Sequence, residues 1–372
     1  MSPSLRFPEF NGEWKEERLS EIADIYKGAG ISKDQLSDNG EPCILYGELY
    51  TKYKTETITE VISRTDIDNT KLVRSKANDV IIPCSGETAE DIATARCVIK
   101  DGILLGGDLN IIRLHNYDGS FVSYQLNGKR KYDIAKVAEG VSVVHLYGEH
   151  LKGVKTVNPC LAEQKKISRF LSLLDERIAV QNRLIDRLQS LMKGIRHRII
   201  NEAKGKIVCL CEVSDIYQPQ TISSADLTET GYPVYGANGI IGHYTSYNHE
   251  AEQVCITCRG NTCGGVNYTK SKSWITGNAM VVNVDRYQNI VSKRYLYHYL
   301  SNCDFNSIIS GSGQPQIVRA PLAKFKIILP TVMQQYKIAH CLDVIQNKIN
   351  VNSNILNLLI RQKQYLLRKM FI

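Results

Sequence analysis

The stretch GSGQPQIVRAPLAKFKIILP (residues 311–330) runs from a glycine- and proline-punctuated loop into an apolar strand that stops at Pro330, and an amphipathic run follows at once. The same outline stands at residues 140–159, GVSVVHLYGEHLKGVKTVNP. A displacement of 171 positions lays Gly140 on Gly311, Leu151 on Leu322, Lys155 on Lys326 and Pro159 on Pro330. The register holds without a gap beyond that point, with Gln164 on Gln335, Ile167 on Ile338, Leu171 on Leu342 and Ile178 on Ile349. Glycine, proline and an apolar ladder in one register mark a duplicated module.

Upstream, the two copies correspond with changing offsets, which implies insertions. LSEIADIYKGAGISKDQLSDNGEP (19–42) resembles LCEVSDIYQPQTISSADLTETGYP (210–233), VIIPCSGET (80–88) resembles VCITCRGNT (254–262), and GGDLNIIRL (106–114) resembles TGNAMVVNV (276–284). Short β-branched runs between Gly, Asn, Asp and Pro predict strands and turns in this part of each copy. A short helix is expected before the junction, in SYQLNGKRKYDIAKVAE and in KRYLYHYLSNCDFNSII.

Each copy ends in a long helix of about 60 Å at 1.5 Å per residue. In the first, Ile167, Leu171, Leu174, Ile178, Ile185, Leu188, Met192, Ile195 and Ile199 recur at steps of three and four, a coiled-coil seam. In the second, Ile338, Leu342, Ile345, Ile349, Leu356, Leu359, Leu366 and Met370 do the same, interrupted by Asn352 and Lys363. Two such helices in one chain most simply pack on each other, the polar interruptions setting register. The fold class that follows is α+β: two mixed β-rich and helical domains joined by two long antiparallel helices, with an internal pseudo-two-fold. The expected domains are residues 1–159, a spacer helix at 160–203, residues 204–330, and a second spacer helix at 331–372.

With 372 residues, 43% apolar and 23% charged, the chain has the composition of a soluble two-domain protein. It shows no apolar run of membrane-spanning length and no targeting segment, which points to the cytoplasm. Its net charge of +8 suits an anionic partner without naming one. Among eleven cysteines, Cys255, Cys258 and Cys263, with Cys209 and Cys211 upstream, form the one cluster to weigh as a zinc site. Cys255 and Cys258 fall in an expected strand, whose alternation turns them to opposite faces, so they read as structural thiols and no metal is expected.

The segments GYPVYGANGIIGHYTSY (231–247), CITCRGNTCGGVNY (255–268), WITGNAMVV (274–282) and GSGQPQI leading to ILPTVMQQYKIAHCLD resemble the specificity subunit of type I restriction–modification systems. EPCILYGEL and VNPCLAEQKKISRFLSLLDERI carry the counterparts in the first copy, so the resemblance spans essentially the whole chain. It implies a non-catalytic subunit with two target-recognition domains, each reading one half of a split, asymmetric site in double-stranded DNA. The long helices would set the gap and dock two methyltransferase subunits, which use S-adenosylmethionine; this chain itself would hold no cofactor. Motor and nuclease subunits would join for restriction. Pseudo-two-fold heads match the two-fold geometry of the duplex backbone.

That resemblance fixes no base-contacting set, so candidates rest on side-chain chemistry. Arg259, Asn261 and Thr262 follow a strand, with counterparts Ser85, Glu87 and Thr88; Arg forks onto guanine and Asn onto adenine. Tyr235 and Asn238 in YGANG, Tyr46 in LYGEL, and Gln314 and Gln316 in GQPQI come next. Lys52, Lys54, Lys129, Arg130, Lys270 and Lys272 are candidates for phosphate contacts, which add affinity but no sequence information. The simpler reading of the Gly and Asn positions is turn chemistry, and of each basic cluster a solvated face.

Two other classes fit the residues less well. A self-contained amino-methyltransferase needs an Asn/Asp-Pro-Pro-aromatic motif and a glycine-rich cofactor turn before a helix, and GANGIIG is not followed by a helical pattern. His145, His243, His249 and His298 are isolated in sequence. A scaffold that has lost DNA binding would show decay of loops or helices, and both copies are intact.

Overall fold

The computed structural model describes residues 2–68, 71–140, 143–237, 239–311 and 313–372. It divides into two compact units, Met1–Asn182 with Asn354–Ile372, and Arg183–Ser353. Each therefore holds one β-rich domain plus half of each long helix, Leu161–Glu202 and Val332–Met370.

In the first unit a five-stranded sheet runs in the order Ala23–Lys27, Leu109–Leu114, Asp79–Pro83, Arg96–Val98, Thr57–Ile58. In the second, Asp215–Tyr217, Ala279–Asn283, Val254–Thr257 and Val266–Tyr268 form the corresponding sheet. The registers agree between the copies. Ile25 faces Ile112 where Ile216 faces Val282, and Ile111 faces Ile81 where Val281 faces Cys255. The changing sequence offsets are thus absorbed in loops, because a one-residue slip inside a strand would turn its apolar face to water. A two-stranded ribbon closes each domain, Lys15–Arg18 with Lys155–Asn158 and Lys206–Cys209 with Lys326–Leu329, again in matching register.

The junction of the opening stretch differs from the simple expectation. Between loop and strand lies a short helix, Arg319–Ala323, and Gly148–Lys152 takes its place in the first copy. Pro321 is tolerated there because it falls in the first turn, where its missing N–H has no helical partner to lose. Gly140 and Gly311 both have positive φ, +121° and +90°, and a Cβ on either would meet the carbonyl oxygen of the third residue on, Val143 or Gln314. Only glycine suits both demands.

Beyond the strand, a buried glutamine ties each junction together. Gln164 Nε2 donates to the Pro159 carbonyl at 2.8 Å while its Oε1 accepts from Asp118 N–H at 2.9 Å. Gln335 donates to Pro330 at 2.9 Å and accepts from Ser292 N–H at 2.8 Å. Asp118 and Ser292 are the N-caps of the short helices Gly119–Asn127 and Lys293–Leu300; the helix expected in the first copy is broken at Gly128 and followed by a second, Lys131–Lys136. One side chain thereby fixes the strand end, the long helix and the short helix.

The helices pack antiparallel. In the first unit Leu171, Leu174 and Ile178 join Leu359, Leu366 and Met370 in the main core; in the second Leu188, Met192 and Ile195 pack with Ile338, Leu342, Ile345 and Ile349. Ile185 is buried and Leu356 half-buried, as seam positions should be. At the end of the first helix it is Ile200, rather than Ile199, that enters the core. Asn352 is buried, its Nδ2 donating to Lys348 O within its own helix. Lys363 is an anchor for the domain beside it: Nζ reaches Glu56 at 2.7 Å and Asp175 at 2.6 Å.

Candidate nucleic-acid interface

In the second unit three loops converge. Arg259 pairs with Gln316 in an isolated antiparallel bridge, Gly260 N–H donates to Pro315 O at 3.0 Å, and Ile317 N–H donates to Cys258 O at 3.0 Å. The hydroxyls of Thr257 and Thr262 both donate to Ala237 O, at 2.6 and 3.1 Å. RGNT, GQPQI and Ala237 are thus one surface, on which Arg259, Asn261, Gln314 and Gln316 are exposed. Gly260 has φ +85°, the left-handed conformation that turns the chain after Arg259. Asn238 lies outside the described residues.

The first unit builds the same surface with other side chains. Ser85–Gly86 pairs antiparallel with Val144–His145, and Leu146 N–H donates to Cys84 O at 2.8 Å. His145 stands 171 positions before Gln316, so the loop pairing is duplicated position for position. The side chains it presents are Ser85, Glu87, His145 and Tyr147, the last two stacked with centroids 6.2 Å apart. The shared offset pairs the glycines of the two junctions, but the docking of each junction on the strand-end loop is a tertiary contact that the offset does not spell out.

Several other candidates have structural employment. Tyr235 is 6% exposed and its hydroxyl accepts from Lys270 N–H at 3.1 Å. Thr88 caps the helix Ala89–Ile92 by accepting from Asp91 N–H. LYGEL does not repeat the second unit's pairing of Tyr232–Gly236 with Gly239–Tyr244, because it leads into a helix, Glu48–Thr51; Tyr46 is exposed just before that helix. Lys52 is paired with Glu48 at 2.6 Å and Lys54 donates to Thr51 O at 2.8 Å. Lys270 and Lys272 are exposed, with Lys272 3.9 Å from Glu250. Lys129 stands apart from the loop surface, lining a basic cleft with Arg368 and Lys369, and Arg130 lies 3.5 Å from Asp133.

The cysteines divide as alternation demands. Cys255 packs with Tyr235, Ile275 and Val281, while Cys258 belongs to the main core on the other face of the sheet. Burial pushes the Cys255 thiol up to about 12.

The seam residues are spent on helix pairing, yet each helix carries a second apolar series. Leu173 and Val180, and Leu358 and Tyr365, are exposed in the first unit; Leu184 and Leu191, and Val344 and Val351, are exposed in the second. Each pair is seven residues apart and shares a helix face. No helix among the described residues is long and apolar enough to cross a membrane.

Comparison with known proteins agrees with this architecture. The model of the type I restriction modification DNA specificity domain matches twice, over residues 11–190 and 203–361. The Escherichia coli type I restriction enzyme EcoprrI specificity subunit is 31% identical over 148 residues, which is 38% of this chain and 36% of that protein. The MjaVIII specificity subunit of Methanocaldococcus jannaschii is 22% identical over 395 residues, 93% of this chain and 88% of that protein. The crystal structure of the S subunit of the M. genitalium type I system superimposes with a TM-score of 0.73 at 18% identity, covering 100% of this chain and 99% of that one, a likeness of fold. With one family model matched by each duplicated half, the chain belongs to the type I restriction modification DNA specificity domain family.

Proposed function

We propose that the chain is the non-catalytic, DNA-reading subunit of a type I restriction–modification complex working on cytoplasmic double-stranded DNA. The observation that carries this reading is the duplicated loop surface, one backbone pairing presented twice with different side chains. Arg259, Asn261 and the two glutamines offer forked donors and amides for base edges in one half-site, and Ser85, Glu87 and His145 offer another set for the other. Two unlike surfaces of common construction suit an asymmetric two-part target. The long helices act as the spacer between half-sites.

The exposed apolar series on the helices, present in both units, suits docking of two methyltransferase subunits, which supply the S-adenosylmethionine chemistry; motor and nuclease subunits complete restriction. The test is the methylated motif in host DNA with and without this gene. The expected outcome is a split motif lost on deletion. A chain lacking seven residues within 184–196 should keep both half-sites and change the gap; an unchanged gap sinks the spacer role, and an unchanged methylome sinks the function.

A further inference from the structure

In the first unit the loop after Ala23–Lys27 and the turn at 106–108 enclose a cleft of about 1130 Å³. Its floor is backbone. A Cβ on Gly28 would run into the Gly106 carbonyl, and one on Gly107 would come within 3.2 Å of Gly30 Cα, so glycines let the two loops touch. Over Gly30 the space is open, with nothing within 4 Å of the place its Cβ would take. Ile31, Leu36 and Leu45 give an apolar wall. The rim carries exposed Tyr46, Lys27 and Lys33, and among the described residues neither lysine enters an ion pair.

The duplication provides an internal comparison. Lys27, Gly28 and Gly30 correspond to Gln218, Pro219 and Thr221, and Gly107 corresponds to Gly277. In the second unit Gln218 Nε2 donates to the Gly277 carbonyl, and Thr221 Oγ1 lies 2.5 Å from where a Cβ on Gly277 would stand. The Thr221 side chain therefore stands against Gly277, whereas the space over its counterpart Gly30 is open. Two local differences thus shape the cleft: the small residues at Gly28 and Gly30, and the helix Glu48–Thr51 that lines its other side where the second unit has a hairpin. It also borders the loop surface, because the Asp108 carbonyl accepts from Cys84 N–H at 2.8 Å, one residue before Ser85.

We propose that this cleft accepts one nucleotide, its base against the apolar wall and Tyr46, its phosphate at Lys27 and Lys33. An apolar slot with an aromatic face suits any base ring, two ammonium ends suit a phosphate, and the volume is on the scale of a small-molecule site. The nucleotide is either one extruded from bound DNA, a source that rests on the DNA-reading role above, or a free mononucleotide.

The test uses the full chain with its methyltransferase partner and DNA carrying 2-aminopurine at successive positions of the half-sites, read by fluorescence and by footprinting in the same samples. A second arm measures the melting temperature of the chain with dAMP, dCMP, dGMP or dTMP. The control variant carries Lys27→Gln and Gly30→Thr, which installs the second unit's residues at a position with room for them. Lys27→Gln alone, which leaves the backbone untouched, should weaken the same signal. A fluorescence rise lost in the variant, with the footprint retained, supports extrusion. A melting shift with a mononucleotide, absent in the variant, supports a free nucleotide even if no footprint forms, in which case the DNA-reading role falls alone. Fluorescence rises that all persist in the variant belong to the methyltransferase, which extrudes its own target base. That result, or no rise at all, together with no mononucleotide shift, overturns the proposal while the footprint reports separately on DNA reading.

Discussion

Gln335 donates from Nε2 to the carbonyl of Pro330, and its carbonyl oxygen accepts from the N-cap of a neighbouring helix; Gln164 repeats the arrangement with Pro159. A buried amide that satisfies several backbone groups is expensive to remove, since each orphaned group costs about 1–3 kcal/mol. Gln335→Met keeps the volume and removes the bonds. It should lower the stability of the second unit by about 2–4 kcal/mol in urea unfolding, and Gln164→Met should do the same to the first.

Arg259 is exposed beside Gln316, on the loop surface of the second unit. Arg259→Ala in the assembled complex should relax preference at one base of one half-site by about 1–3 kcal/mol. Binding measured across a panel of single-base variants checks this; a uniform weakening would make Arg259 a phosphate contact instead.

Lys363 lies between Glu56 and Asp175, and Tyr124 OH donates to Asp175 at 2.6 Å. Burial raises the Asp175 carboxyl although Lys363 opposes it. Removing the lysine leaves two buried carboxylates without their direct ion-pair partner, the nearby Arg96 guanidinium being bonded to the Leu49 and Tyr53 carbonyls. Lys363→Ala should therefore cost about 3–5 kcal/mol, and the triple change Lys363→Met, Glu56→Gln, Asp175→Asn should recover much of that. Chemical denaturation of the three proteins decides it.

The second unit anchors its domain differently, with Arg294 bonded to both oxygens of Asp343 at 3.0 Å and His298 Nε2 at 2.7 Å from the same carboxylate. Burial lowers His298 from its usual 6.5 to about 4, against the pull of Asp343. Burial acts to raise Asp343, but the bonds from Arg294 and His298 prevail and hold it below its usual range. Between pH 6.5 and 4 the unfolded chain takes up a proton at His298 that the folded chain refuses. Stability is thus full above about pH 6.5 and falls with acid, by about 3 kcal/mol across the window. Below that, protonation of Asp343 removes more. Melting curves from pH 7 to 4 should show the decline, and His298→Gln should flatten its upper part.

Much of the architecture was legible in the chain. Seam positions such as Leu171, Leu342 and Met192 announced the helix pair through their spacing, and the Gly, Pro and Gln correspondences announced the duplication. The short helix Arg319–Ala323 is not legible in the sequence, because five residues carry too little periodicity and Pro321 favours a loop. Tyr235 looked like a reader because exposure is not written in a tyrosine; its hydroxyl is bound to Lys270 N–H.

The sequence by itself determined that one module occurs twice and that each copy ends in a seam-bearing helix, because repeats and heptads are regularities along one dimension. Tertiary structure alone decided that Gln316 meets Arg259, that Lys363 meets Glu56, and that Thr221 stands against Gly277 while the space over Gly30 is open. Those contacts join residues far apart in the chain, and they depend on where loops of unequal length carry their ends. Local spacing holds no record of that.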